Sequence, residues 1–147
     1  MNTFFECVVK YDKTMENGLI KKVSEPYLVD ALSFTEAEKR FIEEITPYMS
    51  GEFEVKAVKR ANYAEVVSSN GPMCDRWYKM KVAFITLDEK TGAEKKTTVS
   101  MLVQAFDVRN ALDNLNCYMH GSLADYTVTA VSETPICDIY YYEPQND

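Results

Sequence analysis

Two stretches of the chain interleave aromatic rings with cations: Arg76-Trp77-Tyr78-Lys79-Met80-Lys81, and Lys56-Ala57-Val58-Lys59-Arg60-Ala61-Asn62-Tyr63. Unpaired nucleobases stack on Trp and Tyr rings, while Lys and Arg track the phosphate backbone. Alternate residues of a strand present to the same side, so a sheet face could gather such groups into one platform. Lys56, Lys59, Arg60, Tyr63, Trp77, Tyr78, Lys79 and Lys81 are therefore the candidate nucleic-acid-binding residues. The expected ligand is single-stranded DNA, with affinity falling with salt and on Trp77→Ala or Tyr78→Ala. Strand aromatics also build cores, and Trp77 or Tyr78 must be partly buried whichever way the strand faces.

Other chemistries lack their residues. His120 is the one histidine; it stands beside Gly121 at a helix end, outside any nucleophile-elbow context. A histidine there commonly serves the terminal carbonyls. There is no phosphate-cradling glycine loop of either common pattern. The densest carboxylates, Glu36 to Glu44, fall on the outer face of a helical stretch. Cys7, Cys74, Cys117 and Cys137 are far apart and form no C-x-x-C pair, so reduced, mostly buried thiols are expected and structural zinc is not. The expectation is a non-enzyme without cofactor or metal.

Composition sets the bounds within which those residues act. The 147 residues are 46% hydrophobic and 12% aromatic, enough for a sizeable core. No apolar run is long enough to span a bilayer, and Met1 to Glu6 does not resemble a secretory signal. The chain reads as cytoplasmic, without a membrane partner. The net charge of -7 opposes bulk attraction to nucleic acid. It is unevenly spread: residues 97–147 hold one base and seven acids, a balance of -6, which leaves -1 for residues 1–96.

The elements that must position these groups come in two similar series. Phe4 to Tyr11 reads as a strand, Asn17-Gly18 as a turn, and Leu19 to Ala31 as a second strand, placed at an edge, bulged or broken by Pro26. Ser33-Phe34-Thr35-Glu36 fits a capping box, and Phe34, Ala37, Phe41, Ile45 and Tyr48 recur at helical spacing up to Pro47. From Phe53 a third strand alternates Phe53, Val55 and Ala57 with Glu54 and Lys56. After the polar stretch 68–76 the pattern restarts. Trp77 to Leu87 and Glu94 to Ala105 are strands around a turn at Gly92. Asp107 caps a helix bearing Val108, Ala111, Leu112, Leu115 and Met119, and Tyr126, Val128 and Ala130 lead the last strand.

At an offset of 74, Gly18 meets Gly92, Lys21-Lys22 meets Lys95-Lys96, and Leu28, Val29, Ala31 and Ala37 meet Leu102, Val103, Ala105 and Ala111. Past the helices the offset is 70, then 73, where Val55, Ala57 and Val58 meet Val128, Ala130 and Val131. At 74, Phe5 and Cys7 fall on Lys79 and Lys81, so either the copies carry different polar faces or the register shifts by one. The predicted fold is α+β: a tandem duplication of a β-β-α-β unit packed as one pseudo-two-fold domain. It has about six strands and two helices, and either third strand could break into two. Residues 1–147 form a single domain of two repeats, about 3–67 and 77–142, joined by a polar linker at 68–76. One unit alone has too few strands and only one helix to bury both faces.

The run Glu25 to Ala37, the Ile85 to Lys96 turn, Ala124-Asp125-Tyr126 and Glu133-Thr134-Pro135 resemble domain-of-unknown-function family 4494, short proteins of gut anaerobes and their phages. The resemblance covers essentially the whole chain and brings no catalytic residues. Its phage connection implies a replication- or recombination-associated role in binding single-stranded DNA. The rival reading is a protein-interaction or regulatory module, meeting a basic partner or forming a homo-oligomer, because edge strands invite pairing. The tail Tyr140 to Asp147 reads as a last strand running into a frayed end, or as a weakly acidic recruiting tail.

Overall fold

Each long hairpin begins with residues that favour extended backbone and ends at a glycine that its turn requires. In a computed structural model, which describes residues 3–142, β1 (Phe4–Thr14) and β2 (Ile20–Asp30) pair antiparallel from Phe4↔Asp30 to Thr14↔Ile20. Strands β5 (Arg76–Leu87) and β6 (Glu94–Ala105) pair from Arg76↔Ala105 to Leu87↔Glu94. Gly18 (φ 82°) and Gly92 (φ 70°) take the left-handed conformation in the two turns, which other residues adopt at a cost. The second turn, residues 88–93, is one residue longer than the first, residues 15–19.

Helix α1 (Phe34–Ile45) starts where Ser33 Oγ accepts from the Glu36 amide at 3.1 Å and the Leu32 amide donates to Glu36 Oε2 at 3.2 Å. It buries Ala37, Phe41 and Ile45, one residue per turn, and a 3-10 turn over Thr46–Tyr48 absorbs Pro47. Helix α2 (Val108–Met119) starts the same way. Asp107 Oδ1 accepts from the Asn110 amide at 2.7 Å, and the Phe106 amide donates to Asn110 Oδ1 at 3.2 Å. It buries Ala111 and Leu115, and Gly121 (φ 89°) follows its end.

The remaining strands are β3 (Phe53–Ala61), β4 (Glu65–Val67), β7 (Asp125–Thr134) and β8 (Ile139–Tyr140). The described residues thus hold two helices and eight strands rather than six, each third strand being followed by a short extra one. The strands form two four-stranded sheets, ordered β3-β1-β2-β8 and β4-β6-β5-β7. Strand β8 lies parallel to β2, and β4 parallel to β6; all other pairings are antiparallel. Strand β2 runs unbroken through Pro26, which is buried opposite Val8; the flanking β8 reaches only Leu28 and Val29, so no ladder bond is demanded of the proline.

The chain divides into two compact units. Unit 1 is Met1–Asn62 with Pro135–Asp147, and unit 2 is Tyr63–Thr134. The chain therefore leaves unit 1 after β3 to supply β4 to unit 2, and returns after β7 to supply β8 to unit 1. Unit 1 has a buried cluster of Phe5, Cys7, Val9, Val29 and Ala31 under Ala37, Phe41 and Ile45. Unit 2 has one of Tyr78, Met80, Val82, Met101, Val103 and Ala105 under Ala111 and Leu115. Each helix stripe lies against its own sheet. The four cysteines are free thiols; Cys7 is buried and Cys74 half-buried, but Cys117 and Cys137 are exposed, against the expectation of mostly buried thiols.

A bulge interrupts each third strand. Between Val8 and Val9 the β3 partners jump from Ala57 to Val55, and between Lys81 and Val82 the β7 partners jump from Ala130 to Val128. Lys56 and Thr129 are the extra residues. The bulge exchanges faces beyond it, so Val58 and Val131 pack on the cores while Ala57 and Ala130 are exposed, where strict alternation predicts the reverse.

Candidate functional site

The residues proposed for nucleic-acid contact sit on two strands and one connection. On β5, Tyr78, Met80 and Val82 face α2, so Trp77, Lys79 and Lys81 face the other way. Both aromatics are closed to solvent: Trp77 is 3% exposed and Tyr78 2%. Neither ring offers a stacking face, and the expected Trp–Tyr platform is absent for a plain reason: neighbours on a strand covered on both sides are both buried. Lys79 is half-buried and Lys81 exposed; Ala83 and Leu102, on the same side of the sheet, are buried, so the face carrying these lysines is largely closed. Arg76 pairs with Glu133 at 3.7 Å.

On β3, Lys56, Lys59 and Arg60 are all exposed, but they diverge. Val58 faces α1, so Arg60 lies on the helix side and Lys59 on the opposite side, where its Nζ meets Glu6 at 3.4 Å. Lys56 is the bulge residue. Tyr63 is half-buried in the connection to β4. The structure brings Lys79 and Lys81 to one face and separates Lys59 from Arg60. It makes no open surface of rings and cations from either stretch.

A different feature draws chemistry together, in the breaker-rich segment before β5. Among the described residues, Met73 alone among non-glycines has positive φ (65°), a conformation that L side chains hold only when their surroundings enforce it. The enforcement is a polar network. Gln104 accepts from the Ser69 amide at 3.0 Å and donates through Nε2 to the Cys74 carbonyl at 2.8 Å. The Cys74 thiol accepts from Ser69 Oγ at 3.4 Å and donates to Asn110 Oδ1 at 3.5 Å. Asn114 Nδ2 donates to the Gln104 carbonyl at 2.9 Å and to Asn110 Oδ1 at 3.2 Å. The loop is thereby tied to the start of α2. It presents Met73, 84% exposed, beside Phe106, 45% exposed, and these two line a concavity with Pro72, Asp75 and Arg76. The sequence reads 68–76 as a polar linker, but Gln104 and Asn110, which brace it, lie too far along the chain to be linked to it by sequence.

Among the described residues no cluster of three His, Cys, Asp or Glu side chains could hold a metal ion, and no helix is long and apolar enough to cross a membrane. The class defined by these features is an α+β protein of two four-stranded sheets, each carrying one helix. The chain belongs to the family described as Domain of unknown function (DUF4494), whose model matches residues 3–142. No curated protein matches it.

Proposed function

We propose that this protein is a non-catalytic protein-interaction module, and that the braced loop at Met73 is a place where a partner docks. The observation that carries this reading is an exposed apolar pair, Met73 and Phe106, held in a concavity by backbone of costly conformation and a dedicated hydrogen-bond network. Exposed apolar groups on a fixed support fit a partner's apolar side chain, with Asp75 and Arg76 at the rim to orient it. The single-stranded DNA reading is the weaker one. It retains Lys56, Lys59, Arg60 and Lys81 as exposed cations and a half-buried Tyr63, but loses Trp77 and Tyr78 as stacking rings.

A photo-crosslinking amino acid at Met73 tests the module reading in cells. A discrete protein adduct, absent when the probe is moved to exposed Lys90, is the expected result. Retardation of a fluorescent single-stranded oligonucleotide at low salt, weakened by Lys81→Glu, with no adduct from position 73, overturns it.

We also infer that the chain arose by tandem duplication of a β-β-α-β-β unit. Four observations support this. The sheet orders correspond when β1, β2, β3 and β8 are matched to β5, β6, β7 and β4. The bulges fall at Val8/Val9 and Lys81/Val82, an offset of 73. The core triads Phe5, Cys7, Val9 and Tyr78, Met80, Val82 share that offset, so the one-residue register shift resolves the mismatch of Phe5 and Cys7 with Lys79 and Lys81. Finally, Arg40 and Asn114 hold corresponding posts: Arg40 donates to the Asp30 carbonyl and Asn114 to that of Gln104.

A further inference from the structure

Of the four outer strands, two are too short to serve as templates: β4 has three residues and β8 two. The other two are long, β3 with nine residues and β7 with ten. Natural sheets blunt long edges with lysines, prolines or bulges. Strand β3 carries Lys56, Lys59 and Arg60 against one acid, Glu54; β7 carries Asp125 and Glu133 and no Lys, Arg or Pro, its other residues being mostly Thr and Val. The edges are opposite in charge.

We propose that β7 of one copy pairs antiparallel with β3 of a second copy, joining a sheet of each into one of eight strands. This goes beyond the docking loop and uses a different surface. Both strands contain a bulge, which would normally spoil such a ladder, but the bulges match. The core-side valines are three residues apart in each, Val55 and Val58 in β3, Val128 and Val131 in β7. With Val58 opposite Val128, Val55 falls opposite Val131 and Arg60 opposite Tyr126. Lys59 then lies diagonal to Asp125 on the other face, within reach of a long side chain. Like edges do not suit one another. Pairing β7 with β7 about Thr129 sets Asp125 against Glu133, and pairing β3 with β3 gathers the cations. The contact is heterologous, each copy offering one β3 edge and one β7 edge, so copies join head to tail into a closed ring or an open chain.

Sedimentation velocity of the full chain over rising concentration tests the proposal. Wild-type protein is expected to self-associate as concentration rises. Thr127→Lys with Ala130→Lys, which set lysines opposite Lys59 and Lys56, blocks β7; Arg60→Glu with Ala61→Glu, the latter opposite Asp125, blocks β3; each double variant alone is expected to stay monomeric. Mixed in equal amounts, they should form a dimer and nothing larger, through the one open β7 and the one open β3. Hydrogen exchange on wild-type protein gives a readout independent of variant folding, with amides of both β3 and β7 gaining protection as concentration rises. A wild-type chain that is monomeric throughout, a blocked variant that dimerises alone, or a mixture that stays monomeric overturns the pairing. A monomeric wild type leaves the module reading intact, whereas oligonucleotide retardation without a Met73 adduct strikes that reading and not this one.

Discussion

Trp77 acts in this protein as filling rather than as a stacking surface. Removing so large a buried side chain is expected to cost about 3–5 kcal/mol of stability, whereas Lys81→Ala at an exposed position should stay within about 0.5 kcal/mol; urea unfolding of the two variants separates them. Cys7 is the corresponding case in unit 1. Burial pushes its thiol up to about 12, and Glu38 and Glu6 push the same way. Only the thiolate is reactive, so a thiol-specific reagent should modify Cys7 only once the chain unfolds, while exposed Cys117 is modified in the native state. Burial likewise raises Tyr140 to about 12, with Asp138 next in effect, and raises Tyr27 stacked on it. These groups are held neutral by the fold. Their contribution to stability is complete below the ordinary tyrosine value of about 10 and is lost as pH climbs through about 12. A denaturant midpoint that is level to about pH 9 and falls steadily above about 10 is expected; a midpoint unchanged across that window would contradict the assignment.

At the scale of elements, the two helix starts make a matched pair of predictions. Ser33→Ala and Asp107→Ala each remove the side chain that accepts from the third helical amide, and each should cost about 1 kcal/mol, read from thermal or denaturant unfolding. These caps were legible in the sequence, as were the hairpins, the turn glycines and the middle of each helix stripe, because each is set by residues within one or two turns of chain; Phe34, Tyr48 and Val108, at the ends of the expected stripes, are exposed. The bulges were not. Nothing in Val55-Lys56-Ala57-Val58 alone says that Lys56 is extra, since a bulge is defined only against the partner strand. The same holds for the register of the first hairpin, which depends on a turn one residue shorter than its counterpart. The burial of Trp77 and Tyr78 was hidden for a related reason. Arg76 to Lys81 advertises rings and cations, but their availability depends on which sides of β5 are covered, and that is decided far away in the chain. The Met73 loop is braced by Gln104 and Asn110, which Asn114 holds in turn, and its sequence shows only a polar linker.

At the scale of the whole molecule, unit 1 depends on residues near the far end of the chain. Strand β8 seats Ile139 and Tyr140 beside β2, the Tyr140 ring stacks on Tyr27 at 5.7 Å, and Arg40 Nη2 donates to the Tyr141 carbonyl at 2.9 Å. A chain ending at Thr134 should therefore lose protection in β1 and β2 while β5 and β6 keep theirs, as hydrogen exchange would record; uniform loss, or none, would show that the sheets are not completed in this way.

The same crossing has a bearing on biosynthesis. A ribosome delivers residues from the amino end, and domains commonly take shape in that order. Here unit 2 is one uninterrupted stretch, Tyr63–Thr134, while unit 1 is split around it. The half that emerges first must wait, with one flank of β2 unpaired, until the half that emerges second has already closed.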